Sequence, residues 1–479
     1  MNYRMVFSMI GRLLMLEAAL LLLPATCSLI YQEQSLWALL LSAAVALLVG
    51  GGMTLLCRTK KQAIYAKEGF VIAALSWVFL SAVGALPFVL SGEVSSYVDA
   101  FFETCSGFTT TGASVLDPAT LSHGILFWRS FTHWVGGMGV LVLMMALVPS
   151  GSGRTIHVMR AEVPGPIVGK LVPRLRDTAK ILYLIYLGLT VVEIVCLLIA
   201  GMPLFDSLVL SFGTAGTGGF SIAASGIGGY TAAQQWIITV FMLLFGVNFN
   251  LYFLLLLRTL RPVATNRELW LYLGLFVGFT ALITANIAPY YGDFGESVRH
   301  AAFTVASVVT TTGYATADFN LWPGLSRGVI FLLLFMGGCA GSTAGGLKVS
   351  RVMLLGKTVV RELKRLVHPR SVSTVTLEGK KVEETTVQST AAYFILYMAL
   401  IAVVFFILSF ESFGLETNLT AAITCINNVG PGLGMVGPFG GFGAYSDLSK
   451  IVLAFAMLLG RLEIYPLVLA MLPGTWTKQ

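Results

Sequence analysis

Four short stretches of glycine and small polar residues carry the chemistry that this sequence offers. They read Gly107-Phe108-Thr109-Thr110-Thr111-Gly112-Ala113, Gly213-Thr214-Ala215-Gly216-Thr217-Gly218-Gly219-Phe220, Val309-Thr310-Thr311-Thr312-Gly313-Tyr314 and Cys425-Ile426-Asn427-Asn428-Val429-Gly430-Pro431-Gly432. Aligned on Gly112, Gly218, Gly313 and Gly430, they lie 106, 95 and 117 residues apart, as in an internal repeat. A loop that aims successive backbone carbonyls at one point needs φ above zero, which glycine adopts without a Cβ penalty. Thr111, Thr217 and Thr312, each directly before its glycine, add hydroxyl oxygens without charge. Rings of such oxygens replace the hydration shell of a cation. No Asp or Glu lies at this level, so the pattern points to a weakly held monovalent ion rather than a divalent one.

Such loops need an element to aim them. A half-length helix is predicted before each: Tyr97–Cys105, Leu204–Phe212, Ser297–Val308 and Thr417–Thr424. Segments this short re-enter a bilayer rather than cross it. The loop that follows then lies at membrane depth, where irregular backbone is tolerated only inside protein or along a watery cavity. The partly negative C-terminal ends of the four helices face that cavity and favour a cation there. One Gly/Thr-rich loop alone is more readily a plain connection between helices; four in register behind half-length helices are not.

The rest of the chain supplies the membrane. Of its 479 residues 56% are hydrophobic and only 11% charged, too little charge to clothe a soluble surface. Ten apolar runs, each able to cross roughly 30 Å of hydrocarbon, fall at about 11–30, 36–57, 69–91, 127–149, 178–202, 235–257, 270–290, 328–356, 390–410 and 450–473. The longest polar stretch, 357–388, is too short to fold alone. Of the 30 Lys and Arg, 25 fall in the termini and in alternate loops, whereas the intervening loops carry Glu93, Asp99, Asp293, Glu296, Glu411 and Glu416. The positive-inside rule therefore places both termini in the cytoplasm and accounts for the net charge of +7 without a nucleic-acid partner. The expected fold is an all-α polytopic membrane protein. A two-helix unit (1–62) precedes four repeats of span, pore helix, filter and span (63–160, 161–262, 263–372 and 373–479) around one pore. The first apolar run is expected to be retained, because Glu17 interrupts it and Pro24-Ala25-Thr26-Cys27 is a poor processing site. The six cysteines lie scattered, with neither metal-ligand nor disulfide spacing.

Thr311-Thr312-Gly313-Tyr314 is similar to the core of a potassium-channel filter, and the whole arrangement resembles the Trk/Ktr/HKT superfamily of potassium transporters. The two extra N-terminal spans, Asn427-Asn428-Val429-Gly430-Pro431-Gly432 and Gly460-Arg461-Leu462-Glu463-Ile464-Tyr465-Pro466 look most like the bacterial Trk potassium-uptake membrane subunits. The resemblance implies a pseudo-fourfold pore in a bacterial inner membrane, homodimerisation, and gating by a cytosolic nucleotide-binding regulatory subunit, through which alone a nucleotide acts. It carries the filter onto Thr110-Thr111-Gly112, Gly216-Thr217-Gly218, Thr311-Thr312-Gly313 and Asn428-Val429-Gly430. Within the superfamily a glycine at the first filter goes with potassium and a serine with sodium, so Gly112 favours K⁺ as the permeant ion. The fourth loop departs most, with Val429 where the others have threonine.

Two further features resemble gate elements. Gly337, Gly338, Gly341, Gly345 and Gly346 fall within ten residues of one apolar run, and each costs up to about 1 kcal/mol relative to alanine in a helix. The family reading makes this an intramembrane loop beneath the third filter; the alternative is a small-residue packing surface. Arg461 lies inside the last run, where an ionised side chain is expensive and functional by default. The family reading projects it into the pore as a barrier, and the alternative is a structural pair with a carboxylate of another helix or with freed backbone carbonyls.

Other signals are weaker. Gly432-Leu433-Gly434-Met435-Val436-Gly437 matches the dinucleotide fingerprint but lacks the strand that the motif needs. His133 reads as a packing residue, and Asn248 and Asn250 fit either the pore or a bond between helices. Glu17 and Glu193 are acids inside apolar runs and keep open a symporter coupling K⁺ to H⁺ or Na⁺. An intramembrane enzyme fails for want of a nucleophile–base set or metal cluster, and a non-conducting receptor leaves four registered loops without use. The expectation is a potassium-uptake pore with no catalytic residues and no bound cofactor.

Overall fold

The computed structural model describes residues 1–58, 66–139, 175–370, 374–377 and 380–476. The far end of the predicted fourth span (140–149) and most of the first two basic loops lie outside the described residues. Among the described residues the regular structure is helical apart from one small ribbon, Thr376–Leu377 with Lys380–Lys381, on the basic side. Its surface is inverted relative to a water-soluble protein. Leu48, Leu56, Ile199, Ile395 and Phe406 are exposed, whereas Thr110, Thr111, Thr311, Asn427 and Asn428 are buried. A hydrocarbon solvent selects that arrangement, because polar groups must then find partners inside the protein.

Among the described residues, six helices are long and apolar enough to cross a bilayer: Tyr3–Ile30, Ser35–Leu56, Lys67–Leu90, Ala179–Ile199, Arg267–Tyr291 and Glu384–Leu408. The first two form a hairpin whose crossing point is set by absent side chains. A Cβ at Gly11 would lie 2.6 Å from the Gly50 carbonyl oxygen, and one at Gly50 would lie 2.5 Å from that of Gly11, so the backbones touch. Neighbouring Gly52 has open space instead. Gly50→Leu should therefore destabilise the protein by about 1–3 kcal/mol through forced separation, whereas Gly52→Leu should be neutral. Thermal unfolding in detergent distinguishes the two, and equal midpoints would refute this account of the crossing.

Each of the other four spans precedes a short helix: Tyr97–Phe108, Leu204–Gly216, Phe294–Val309 and Leu415–Asn427. These pore helices overlap the four predicted half-length segments and run a few residues further. Each carries an acid in its first turn, namely Asp99, Asp206, Glu296 and Glu416, which suits the positive end of the helix dipole. Their C-terminal halves are buried, from Phe102 to Phe108 in the first and from Thr420 to Asn427 in the fourth.

The helices after the loops differ from the expectation of continuous spans over 127–149, 235–257 and 450–473. They are His123–Gly137, Ala232–Phe245, Gly324–Leu333 and Asp447–Arg461. The longest have 15 residues, about 22 Å of helix, which is short of a hydrocarbon core. Each is interrupted. Gly139 adopts φ +82° after the first. The second meets Phe249–Leu256 at 90°. The third gives way to irregular chain up to Val349. The fourth is followed by Glu463 and Ile464, both left-handed, before Tyr465–Met471. Glycine content predicted a break only at Gly337–Gly346, and hydropathy predicted none, because it registers apolar content and not backbone continuity.

Candidate functional site

All four pore helices end in the same way. The amide of the residue beyond the helix reaches back five positions: Thr111 N to Ser106 O (2.9 Å), Gly218 N to Gly213 O (2.8 Å), Thr312 N to Ser307 O (2.8 Å) and Val429 N to Thr424 O (3.0 Å). The residue before each donor is left-handed, at φ 55° for Thr110, 56° for Thr217, 56° for Thr311 and 54° for Asn428. One residue beyond each donor the chain is left-handed again, at Gly112 (79°), Gly219 (76°), Gly313 (84°) and Gly430 (97°). Holding a non-glycine residue left-handed costs roughly 1–2 kcal/mol. Four such residues in one place are the kind of strain that concentrates at functional sites.

The repeated handedness corrects one register. The sequence alignment pairs Gly218 with Gly112, Gly313 and Gly430, but the equivalent residue is Gly219. Gly216 belongs to the last turn of its pore helix, and Thr217-Gly218-Gly219 forms the second loop. Adjacent glycines left two alignments open, and the helix-closing bond to Gly213 selects one.

The loops close into a ring. A Cβ at Gly112 would lie 1.9 Å from Gly218 O, one at Gly219 1.9 Å from Thr312 O, one at Gly313 2.1 Å from Val429 O, and one at Gly430 2.7 Å from Thr111 O. Each glycine thus abuts the middle carbonyl of the next loop, and the fourth returns to the first. Gly112, Gly219, Gly313 and Gly430 all line one vestibule of about 400 Å³ on the acidic side, with Asp117 and Arg129 at its wall. Four ties between neighbouring loops surround it. Arg129 Nη1 donates to Ser221 O (2.9 Å), and Ile227 N to Ala315 O (2.8 Å). Asn320 exchanges two bonds with the Gly434 backbone (3.0 and 3.1 Å). Phe442 N donates to Ser114 O (2.9 Å). The Gly-x-Gly-x-x-Gly run at 432–437 therefore belongs to the rim, as a short 3₁₀ turn. Tyr314 points away from the ring and donates its hydroxyl to Leu210 O (3.0 Å), bracing the third loop on the second pore helix.

On the basic side the glycine-rich segment folds up beneath the ring. Cys339 N donates to Gly246 O (2.9 Å) and Phe249 N to Gly341 O (3.0 Å), so the segment satisfies the break in the second repeat. Gly345 N reaches Thr311 Oγ1 (2.7 Å), and Gly337 and Gly345 are packed backbone to backbone. Gly338 lies against Gly246 O, while Gly341 and Gly346 are left-handed. Arg461 converges on the same place. Nη1 donates to Thr110 Oγ1 (3.2 Å) and Thr343 O (2.9 Å), and Nη2 to Gly136 O (2.6 Å) and Gly137 O (2.5 Å). One guanidinium thus joins the fourth repeat, the first loop, the broken end of the first repeat and the glycine-rich segment. These partners are carbonyl and hydroxyl oxygens, so the contacts with freed backbone carbonyls that the structural alternative expects are present.

The TrkH family of cation transport proteins matches this chain over residues 37–288 and 290–475. The chain belongs to that family. It is a multi-pass transport protein and not an enzyme. It is 36% identical over its whole length to the Trk system potassium uptake protein TrkH of Salmonella typhimurium, with all of that protein covered. It is 35% identical to the Trk system potassium uptake protein TrkG of Escherichia coli, over 98% of this chain and 97% of the relative. The crystal structure of the potassium transporter TrkH from Vibrio parahaemolyticus superposes with a TM-score of 0.90 at 33% identity, each chain covered in full.

Several contacts at the site, and some of the residues that make them, escaped the sequence reading. Asn428 Nδ2 bonds Thr111 Oγ1 (2.9 Å) and Met457 O (2.9 Å), so the fourth loop holds the first through its side chain. Glu268 Oε1 accepts from Ala340 N (2.7 Å) and Ser350 N (3.1 Å), which latches both limbs of the glycine-rich segment to the long span Arg267–Tyr291. Arg129 and Glu103 form a buried pair beside the vestibule. The signal for both was available, since each is a charge inside an apolar or re-entrant segment. Among the residues weighed earlier, His133 is buried with Nδ1 on Gly107 O (2.8 Å) and its ring against Gly218. Asn248 caps the helix after the break, accepting from Asn250 N (2.9 Å).

Proposed function

We propose that this chain takes up potassium across a bacterial inner membrane through a gated, channel-like pore. The observation that carries the reading is the closed ring of Thr110-Thr111-Gly112, Thr217-Gly218-Gly219, Thr311-Thr312-Gly313 and Asn428-Val429-Gly430, with one pattern of handedness in all four loops. Alternating handedness turns successive carbonyls to one side, and such oxygens replace the hydration shell of K⁺. The names of the relatives, which describe potassium uptake, support the choice of ion. The glycine-rich segment, with Gly337, Gly338, Gly341, Gly345 and Gly346, is the gate, and Arg461 holds it closed beneath the filter. Both termini face the cytoplasm. The repeats divide near 62, 160, 262 and 372, and the protein works as a homodimer with a cytosolic nucleotide-binding regulatory subunit that transmits the only nucleotide signal.

The test is ⁸⁶Rb⁺ uptake into proteoliposomes loaded with K⁺, with external Na⁺, K⁺ and pH varied. Uptake driven by the K⁺ gradient alone, and blocked by external K⁺, is expected. A second reading, coupled symport with H⁺ or Na⁺, is favoured by two carboxyls buried inside the protein at Glu17 and Glu193. Uptake that requires a Na⁺ or H⁺ gradient would select it.

The gate reading makes a separate prediction at Glu268. Glu268→Gln keeps an acceptor oxygen but removes the charge that strengthens its two backbone bonds, and charge-assisted bonds are about twice as strong as neutral ones. Uptake without the regulatory subunit should rise about three-fold, against no change for Glu362→Gln on the exposed cytosolic helix Val349–Val367. Equal rates for Glu268→Gln and the unmodified protein would remove the latch.

A further inference from the structure

The four ties around the vestibule are not alike. Three consist of backbone amides or a neutral side-chain amide. The tie between the first and second loops consists of a guanidinium, and among the described residues it is the one made by a charged side chain. Arg129 and Glu103 are 3% and 0% exposed, so the pair is sealed in protein. Nε donates to Glu103 Oε1 (2.6 Å), Nη1 to Ser221 O (2.9 Å) and Nη2 to Ser114 Oγ (3.0 Å). The cation also sits 3.7 Å from the centre of the Phe220 ring. Glu103 in turn accepts from Ser114 Oγ (2.8 Å) and Val115 N (3.0 Å). Ser114 and Val115 directly follow the first loop, and Phe220 and Ser221 directly follow Gly219. Every partner of the guanidinium other than Glu103 therefore lies on one of the two strands that leave neighbouring filter loops.

A planar fork fixes the distance between the groups that it bonds, which an ammonium on a flexible stem does not. The carboxylate makes the fork tolerable at this position, since a bare guanidinium at the wall of the vestibule would repel the ion that enters. We propose that Arg129, neutralised by Glu103, is a positioning residue for selectivity: it sets the spacing of the first and second filter loops and thereby the discrimination of potassium from sodium. The inference rests on the filter reading above. It assigns the first–second boundary the tightest control, at the place where Gly112 lies against Gly218 O.

The experiment is ⁸⁶Rb⁺ uptake under Na⁺ competition, with equal amounts of reconstituted protein. Arg129→Lys keeps the charge and loses the fork; it should lower the Rb⁺/Na⁺ discrimination about five-fold, with Rb⁺ uptake in the absence of Na⁺ nearly preserved. Glu103→Gln keeps the geometry and exposes the charge; it should slow uptake while the discrimination holds. Ser114→Ala removes one partner of the pair without unpairing it, and should lower discrimination about two-fold, which keeps the proposal open to test if the arginine variants do not fold. Arg129→Lys or Ser114→Ala with unchanged discrimination, while Gly112→Ser shifts it in the same assay, would overturn the positioning role and leave the filter standing. Unchanged discrimination in all of them, Gly112→Ser included, would overturn both.

Discussion

Gly112→Ser should lower the discrimination of potassium over sodium by about ten-fold, equivalent to ~1.4 kcal/mol between the two ions. Two physical effects act together. Gly112 sits at φ +79°, where a residue with a Cβ is strained by roughly 1–2 kcal/mol. The new Cβ would also lie 1.9 Å from Gly218 O and 3.0 Å from its carbon. Both are backbone atoms, so the second loop itself must give way. A ring that tells ions apart by the spacing of its oxygens then loses one of its four members. Sodium, which needs shorter contacts and is held more strongly by water, gains when the cage no longer fits potassium. The check is Na⁺ competition against ⁸⁶Rb⁺ uptake, with Gly52→Ser in the open part of the N-terminal hairpin as the control. An unchanged ratio at equal expression would show that these loops do not select the ion.

Arg461→Ala should raise the rate of uptake by about a hundred-fold in the absence of any regulatory partner. A unit charge about 6 Å from a permeating cation, at an effective dielectric near 20, raises the ion's energy by ~3 kcal/mol. The same substitution removes the bonds that join Thr343 O of the glycine-rich segment to Gly136 O and Gly137 O. Charge and clamp are separable. Arg461→Lys keeps the charge but cannot span the same oxygens, so it should give an intermediate rate, with the loop freed and the barrier retained. Initial rates of ⁸⁶Rb⁺ entry at matched protein density are the measurement. A lower or equal rate for Arg461→Ala would assign the arginine to structure alone.

The positions of the elements were legible because their signals are local. Charge asymmetry and apolar runs fix a membrane protein with long spans, and short amphipathic segments ahead of Gly/Thr stretches fix the pore helices Tyr97–Phe108, Leu204–Gly216, Phe294–Val309 and Leu415–Asn427. Three of the four loop registers followed from a single glycine behind two residues that are not glycine. The fourth did not, since Gly218 and Gly219 both satisfy the local pattern and only the closure onto Gly213 and the contact with Thr312 O separate them.

What required the tertiary structure is of one physical kind: contacts between residues about a hundred or more positions apart. The breaks after Gly137 and Phe245 occur where backbone carbonyls of one repeat are satisfied by donors of another, as Gly246 O is by Cys339 N and Gly136 O by Arg461. A window of hydropathy contains none of those partners. Arg461 was visible as a charge in an apolar run, but the acceptors Thr110 Oγ1, Gly136 O, Gly137 O and Thr343 O come from three other segments of the chain. Arg129 and Glu103, each unremarked by itself, acquire a role only when folding brings the strands beyond Gly112 and Gly219 to the same guanidinium. The sequence by itself determined which segments enter the membrane and which residues are able to adopt the filter conformation. The closure of four loops on one axis decided which of those residues do so, because the energy that holds them there comes from neighbours that sequence order keeps far away.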